Sequence, residues 1–134
     1  ASLPMSIGTD GLELYNYRTK SKSYISEALT NVIEKGLISE ILLTDWKNEG
    51  YPVSFDKTLV ELFPFHKIPL ITFGGISNVK QMKTLFARSN IAAVAVGNFL
   101  NYREHSIQEF KDTMASATLR SPSYATENSL QADV

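Results

Sequence analysis

The chain has 134 residues, 43% of them hydrophobic, which suits one modest domain with a real core and excludes a disordered chain. Its formal net charge of −1 gives no long-range pull toward nucleic acid or an anionic membrane, and the absence of cysteine excludes a disulfide framework, a thiol nucleophile and a cysteine-bound zinc site. No apolar run approaches the roughly 20 residues that span a bilayer, and the opening ASLPMSIGTDG lacks a basic leader, so neither a membrane span nor a secretory signal is expected.

SLPMSI reads as a short apolar strand, followed by turn chemistry in GTDG. LELYNY alternates Leu12, Leu14 and Asn16 with Glu13, Tyr15 and Tyr17, the period of a half-exposed strand that can form a hairpin with the first. RTKSKS is expected as a polar, basic loop, in which Arg18, Lys20 and Lys22 either meet a phosphate or lie solvated. YISEALTNVIEKG sets Ile25, Ala28, Leu29, Val32 and Ile33 at helical spacing, with Ser23 as the cap and Gly36 as the stop.

EILLT is a strand of the buried kind, because adjacent apolar residues need cover on both faces. The loop DWKNEGYPVSF follows, and DKTLVELF makes a short helix with Asp56 as its cap and Pro64 as its stop. IPLITF is a second buried strand, followed by GGIS and a helix in NVKQMKTLFARSN with Val79, Met82, Leu85 and Phe86 on one face. IAAVAV is a third, followed by GNFLNYREH and a helix through SIQEFKDTM. Residues 115–134 have little periodicity and many small polar side chains, and are expected as a loosely attached tail to a domain of residues 1–114. With the opening hairpin taken as one strand unit, strand and helix alternate four times, the pattern of an α/β fold with a parallel sheet. Four such units make either an open doubly wound sheet or half of an eight-fold barrel.

In parallel α/β folds, ligands bind at the carboxyl ends of the strands. ITFGGISN places Gly74 and Gly75 at such an end. Glycine reaches positive φ and lets backbone N–H groups approach an oxygen-rich ligand, and a helix N-terminus beyond adds its own free N–H groups. Gly97 and Asn98 end the next strand in the same way, so Gly74, Gly75, Gly97 and Asn98 are expected to form a phosphate site together. The plainer alternative for Gly-Gly is a tight turn. Asp45 and Glu49, in the loop after EILLT, are candidates for a catalytic carboxylate pair, against the alternative of a solvated loop. Trp46 either closes over a ligand or packs on the rim. His66 and His105 lie far apart and read as structural and surface residues, so no metal site is expected.

ISEILLTDWKNEGYPVSFD, IPLITFGGISN and AAVAVGNFLNYREHSIQEFK resemble the C-terminal half of the cyclase subunit of imidazole glycerol phosphate synthase, over about residues 1–114. That resemblance implies the parallel (βα)4 half of a TIM (βα)8 barrel, with ASLPMS, EILLT, PLITF and AVAV as barrel strands five to eight. It implies a cytoplasmic protein of histidine biosynthesis without a cofactor. A glutaminase subunit would supply ammonia, and the substrate would be a phosphorylated, sugar-type molecule. It assigns the family's phosphate site to Gly74, Gly75, Gly97 and Asn98, and Glu40 to a charged ring at the ammonia entrance, where a solvated strand start is the plainer reading. Two departures stand out. The family's aspartate at the end of strand five is replaced by the run Pro4, Met5 and Ser6, with Asp10 the nearest carboxylate. The family's D-x-D-G after strand six reads KNEG, with Lys47 for an acid and Glu49-Gly50 retained.

AVAVGNFLNYREHSIQEF is more similar to a divergent branch of the family that serves surface-polysaccharide pathways. The expected function is therefore a phosphosugar-binding barrel that takes ammonia from a glutaminase for amidation or amidine formation on such a sugar. Histidine cyclase proper, and a non-catalytic phosphate-binding half-barrel that assembles with a partner chain, are the alternatives. Parallel strands apolar on both faces need a closed barrel or covering layers. Either the chain self-associates, or it is a piece whose N-terminal half-barrel is missing.

Overall fold

A computed structural model describes residues 1–102 and 105–114. The expected polar tail, and Arg103 and Glu104 of NYRE, lie outside the described residues. The sequence opens into an antiparallel meander of β1 (Ser2–Gly8), β2 (Gly11–Asn16) and β3 (Ser21–Ser23). Thr9 and Asp10 make the first turn, between the paired residues Gly8 and Gly11. The second turn is built by Asn16, whose Oδ1 accepts the backbone N–H groups of Arg18 at 2.9 Å and Thr19 at 3.2 Å. That reversal lays Ser21–Ser23 against Leu14–Asn16, so half of the expected basic loop is a strand. The strand is exposed throughout, and apolar periodicity had nothing to mark.

The meander and the helix after it form the first of four βα-type units. Helix α1 (Glu27–Glu34) is capped by Ser26, which accepts from the backbone N–H of Leu29. Ser23, the expected cap, is held in β3 instead. Gly36 closes the helix at φ +69, and the N–H of Leu37 returns to the carbonyl of Val32 at 3.2 Å. Then come β4 (Ile41–Asp45), α2 (Thr58–Leu62), β5 (Leu70–Phe73), α3 (Val79–Phe86), β6 (Ile91–Val94), a 3-10 helix (Asn98–Tyr102) and α4 (Ser106–Thr113). The cap position of α2 is Lys57, without a side-chain cap bond. Asp56 acts one residue earlier, accepting the N–H of Thr58 at 2.9 Å.

The sheet runs β3-β2-β1-β4-β5-β6, and β1, β4, β5 and β6 are parallel. This is the mixed α/β, mainly parallel arrangement of a partial TIM barrel. β1 serves two partners in succession. Ser2–Met5 pair with β4, and Met5–Gly8 pair with β2. The meander therefore covers only the C-terminal half of that edge of β1, and among the described residues β6 has no second partner.

Leu3, Met5, Ile41, Leu43 and Leu70 alternate onto one face and are buried with Leu59, Val60 and Phe63 of the α2 segment and Met82 and Leu85 of α3. Each such fully buried side chain contributes about 1.5–3 kcal/mol. Pro4, Leu42, Ile71 and Phe73 alternate onto the other face and stay partly exposed. Among the described residues, no helix is long and apolar enough to cross a membrane.

Candidate functional site

Parallel register brings the C-terminal ends of β4, β5 and β6 side by side, and a cavity of about 490 Å³ opens there. Its walls come from the loops after all three strands: Glu49 to Pro52, Phe73 to Ser77, and Ala95 with Gly97 to Phe99.

The two glycines at its base are set by their neighbours. Gly74 has φ +99 and Gly75 φ +75, both in the region that side chains rarely adopt. A Cβ on Gly74 would stand 2.5 Å from the carbonyl oxygen of Asp45. One on Gly75 would strike Ser54 Oγ and stand 2.8 Å from the backbone nitrogen of Phe55. The Gly75 carbonyl accepts from the N–H of Ser54 at 2.9 Å, from that of Phe55 at 3.3 Å, and from Gln81 Nε2 at 3.2 Å. The loop after β4 is thus clamped onto the glycine turn.

Ser77 and Asn78 complete the base. Buried Ser77 Oγ accepts the N–H of Val53 at 2.9 Å, which holds that β-branched residue at φ +55. Asn78 caps α3 by accepting from Gln81 N at 2.9 Å, while Gln81 Oε1 accepts the N–H of Ser77 at 3.0 Å. The N–H groups of Gly75, Ile76, Gly97 and Asn98 donate to no protein acceptor among the described residues. Four donors from two successive strand ends are therefore available to an oxygen-rich ligand.

The structure separates the two candidate carboxylates. Asp45 is 2% exposed, and its Oδ2 accepts from Asn48 Nδ2 at 2.7 Å and from the N–H of Asp56 at 2.8 Å. It braces the loop and is not part of the cavity wall. Glu49 is exposed and stands in that wall. Its Oε2 accepts from the hydroxyl of Tyr17 at 3.4 Å, across 32 residues of sequence. Partial burial of the Tyr17 phenol, in a residue otherwise 54% exposed, raises its pKa, and the charge and hydrogen bond of Glu49 raise it further. Tyr17 meets Tyr15 edge-on at 5.2 Å, and Tyr15 stacks on Trp46 at 3.8 Å. Trp46 packs on the hairpin rather than over the cavity.

Lys47 Nζ reaches the carbonyl of Ile7 at 3.4 Å. Met5 is fully buried and pairs with Asp45. Glu40 is exposed at the start of β4, at the far end of the sheet, and its carbonyl accepts from the amino group of Ala1 at 2.7 Å. Sequence reasoning missed Ser54, Ser77 and Tyr17. Asn78 and Gln81 were readable as a capping pair, but Ser54 and Tyr17 act across sequence separations that no local pattern reports.

A family model described as "Histidine biosynthesis protein" matches residues 8–106, a span that holds all four glycine-loop residues and both carboxylates. The chain is similar to imidazole glycerol phosphate synthase subunit HisF of Leptospira biflexa serovar Patoc, with 37% identity over 76 residues, 56% of this chain and 30% of that protein. The same subunit of Bacillus velezensis is 28% identical over 109 residues, covering 79% of this chain and 43% of the relative. That of Prosthecochloris aestuarii is 26% identical over 106 residues, covering 78% and 42%. The chain spans less than half the length of these curated relatives.

Proposed function

Because the chain belongs to the histidine biosynthesis protein family, we propose that it is the phosphate-holding portion of an imidazole glycerol phosphate synthase-type cyclase barrel. The phosphate of a sugar-type substrate is held between Gly74-Gly75 and Gly97-Asn98. The observation that carries this reading is that residues whose N–H groups have no protein acceptor among the described residues line one cavity from two successive strand ends. In this reading Glu49, in the cavity wall, is the carboxylate that acts on a ligand there, while Asp45 shapes the loop that presents it. Glu40, at the opposite end of the parallel strands, marks the side from which a glutaminase subunit delivers ammonia. No cofactor enters this scheme, and the site of action is the cytoplasm. The free edge of β6 and the open half of the β1 edge receive the strands that complete the barrel, from a second copy or from an N-terminal half.

A second reading follows from the run Pro4, Met5 and Ser6 and from Lys47. The run Pro4, Met5 and Ser6, with Met5 and Ser6 buried, stands where the family's aspartate is expected, and an ammonium replaces the next acid. These side chains transfer no proton as a carboxylate does. They favour a branch that passes ammonia to a sugar-modifying partner in surface-polysaccharide synthesis, without closing the imidazole ring. Complementation of a histidine-requiring strain by the full-length protein separates the two: growth supports the cyclase, and no growth from a folded, expressed protein supports the divergent branch.

The phosphate assignment is tested by calorimetric titration of inorganic phosphate into the chain and into Gly75→Val and Gly97→Val, each first checked for a cooperative thermal transition. Loss of binding in both folded variants is expected. Unchanged affinity in either one removes its loop from the site.

A further inference from the structure

The cavity that holds the glycine loops is also walled by aromatic rings. Tyr51, Phe73 and Phe99 line it, one from each of three successive strand ends, together with Pro52 and Ile76. Among the described residues that line it there is no lysine or arginine. The charge in its wall, Glu49, is engaged by the Tyr17 hydroxyl at 3.4 Å.

Each ring is set in place. Gly97, unlike Gly74 and Gly75, has no positive φ, so its backbone does not require glycine. A Cβ there would stand 3.0 Å from Phe73 Cε2, so what this glycine supplies is space for the Phe73 ring. Phe99 stacks on Phe110 at 5.8 Å, and Phe110 is buried in α4. Tyr51 is pinned through its backbone: its N–H donates to the Asn48 carbonyl at 3.1 Å, and its carbonyl accepts from Ser54 Oγ at 2.7 Å. Yet Tyr51 is 67% exposed, and Phe73 and Phe99 are only partly buried. Fixed aromatic groups left open on a concave wall offer contact area to a ligand.

Neutral N–H donors without a cation gain little from net charge. Affinity beyond the phosphate itself then comes from apolar contact with the rest of the molecule. An open-chain polyol would press its hydroxyls against rings that cannot pair with them. A ring offers a flat face that stacks.

Resting on the phosphate reading above, we propose that this cavity takes a phosphate monoester carrying a ring next to its phosphate, in preference to an open-chain ester. The phosphate sits on the glycine-loop N–H groups, and the ring lies against the collar of Tyr51, Phe73 and Phe99. Inorganic phosphate binds the same floor without the collar's contribution.

The test is calorimetric titration of the full chain with inorganic phosphate, glycerol 3-phosphate, glucose 1-phosphate and phenyl phosphate. Working at about pH 8 keeps the three esters equally charged, above a second ionisation near pH 6. Wild type should bind phenyl phosphate about tenfold more tightly than glycerol 3-phosphate, the worth of one covered ring face. Its binding should also carry the more negative heat-capacity change. Glucose 1-phosphate equal to phenyl phosphate identifies the ring as a sugar, and glucose 1-phosphate no better than glycerol 3-phosphate identifies it as aromatic. Tyr51→Ala, at an exposed position, should cut the margin of phenyl phosphate over glycerol 3-phosphate about threefold, and Phe99→Leu should do the same while keeping an apolar group against Phe110. Equal binding of ring and open-chain esters, or a margin unchanged in both folded variants, overturns the ring selection and leaves the phosphate site standing. Failure of all four probes to bind overturns the phosphate site itself.

Discussion

Replacing Gly75 by alanine asks whether the glycine turn is set by backbone conformation alone or by the loop clamped against it. Gly36 supplies the reference. It sits at φ +69, close to the +75 of Gly75, but nothing lies within 4 Å of where its Cβ would be. Gly36→Ala therefore carries only the left-handed backbone penalty, about 1–2 kcal/mol. At Gly75 the same penalty applies, and the new methyl group also meets Ser54 Oγ, the Phe55 nitrogen at 2.8 Å and the Asn48 carbonyl oxygen at 3.0 Å. Overpacking of this kind adds about 1–3 kcal/mol. Gly75→Ala should then cost roughly 2–5 kcal/mol, clearly more than Gly36→Ala. Removing the nearest obstacle with Ser54→Ala should recover only part, because the other two contacts are backbone; a coupling energy below about 1 kcal/mol is expected. Urea unfolding followed by far-UV circular dichroism gives these values by linear extrapolation. A Gly75→Ala cost equal to that of Gly36→Ala would refute the close-packing argument and leave only the turn.

Asp45→Ala leaves the Asn48 amide and the Asp56 N–H without their part-buried acceptor, and should destabilise the chain by about 1–3 kcal/mol in the same assay; a loss under about 0.5 kcal/mol would contradict its bracing role. Asn78→Ala removes the α3 cap and should cost about 1 kcal/mol, with the thermal midpoint lowered. Because Tyr17 has a raised pKa in the folded state, its contribution is complete below the ordinary tyrosine pKa and is lost as pH rises through the folded value. Phenolate absorbance should accordingly lose a late-titrating component in Tyr17→Phe, and an unchanged titration curve would argue against the contact with Glu49.

The parallel core was legible because its signal is local. Adjacent apolar residues in Ile41–Leu43 and Leu70–Ile71, each followed by loop and helix chemistry, mark parallel strands, although the face of Leu42, Ile71 and Phe73 stays partly exposed among the described residues. Ser21–Ser23 was not legible, since a polar exposed strand is made by the Asn16 turn before it and not by its own side chains. The same limit displaced the α1 cap from Ser23 to Ser26.

At the site, the sequence located Gly74 and Gly75 at a strand end but gave no sign of what crowds them. Ser54 and Phe55 arrive from a loop some twenty residues earlier, and only the parallel register brings that loop alongside. Asp45 and Glu49 look equivalent as acids in one loop. They differ because Asp45 is the last residue of β4 and finds the Asp56 N–H, whereas Glu49 reaches the wall and meets Tyr17. The glycine turn thus has two requirements at once, close packing on one side and open N–H groups on the other.

The central claim is that those N–H groups hold a phosphate, and amide chemical shifts read them directly. Titrating inorganic phosphate and glycerol 3-phosphate into the 15N-labelled chain should move the amides of Gly75, Ile76, Gly97 and Asn98 together on one saturating curve. Shifts scattered over exposed lysines, with these four amides unmoved, would contradict it.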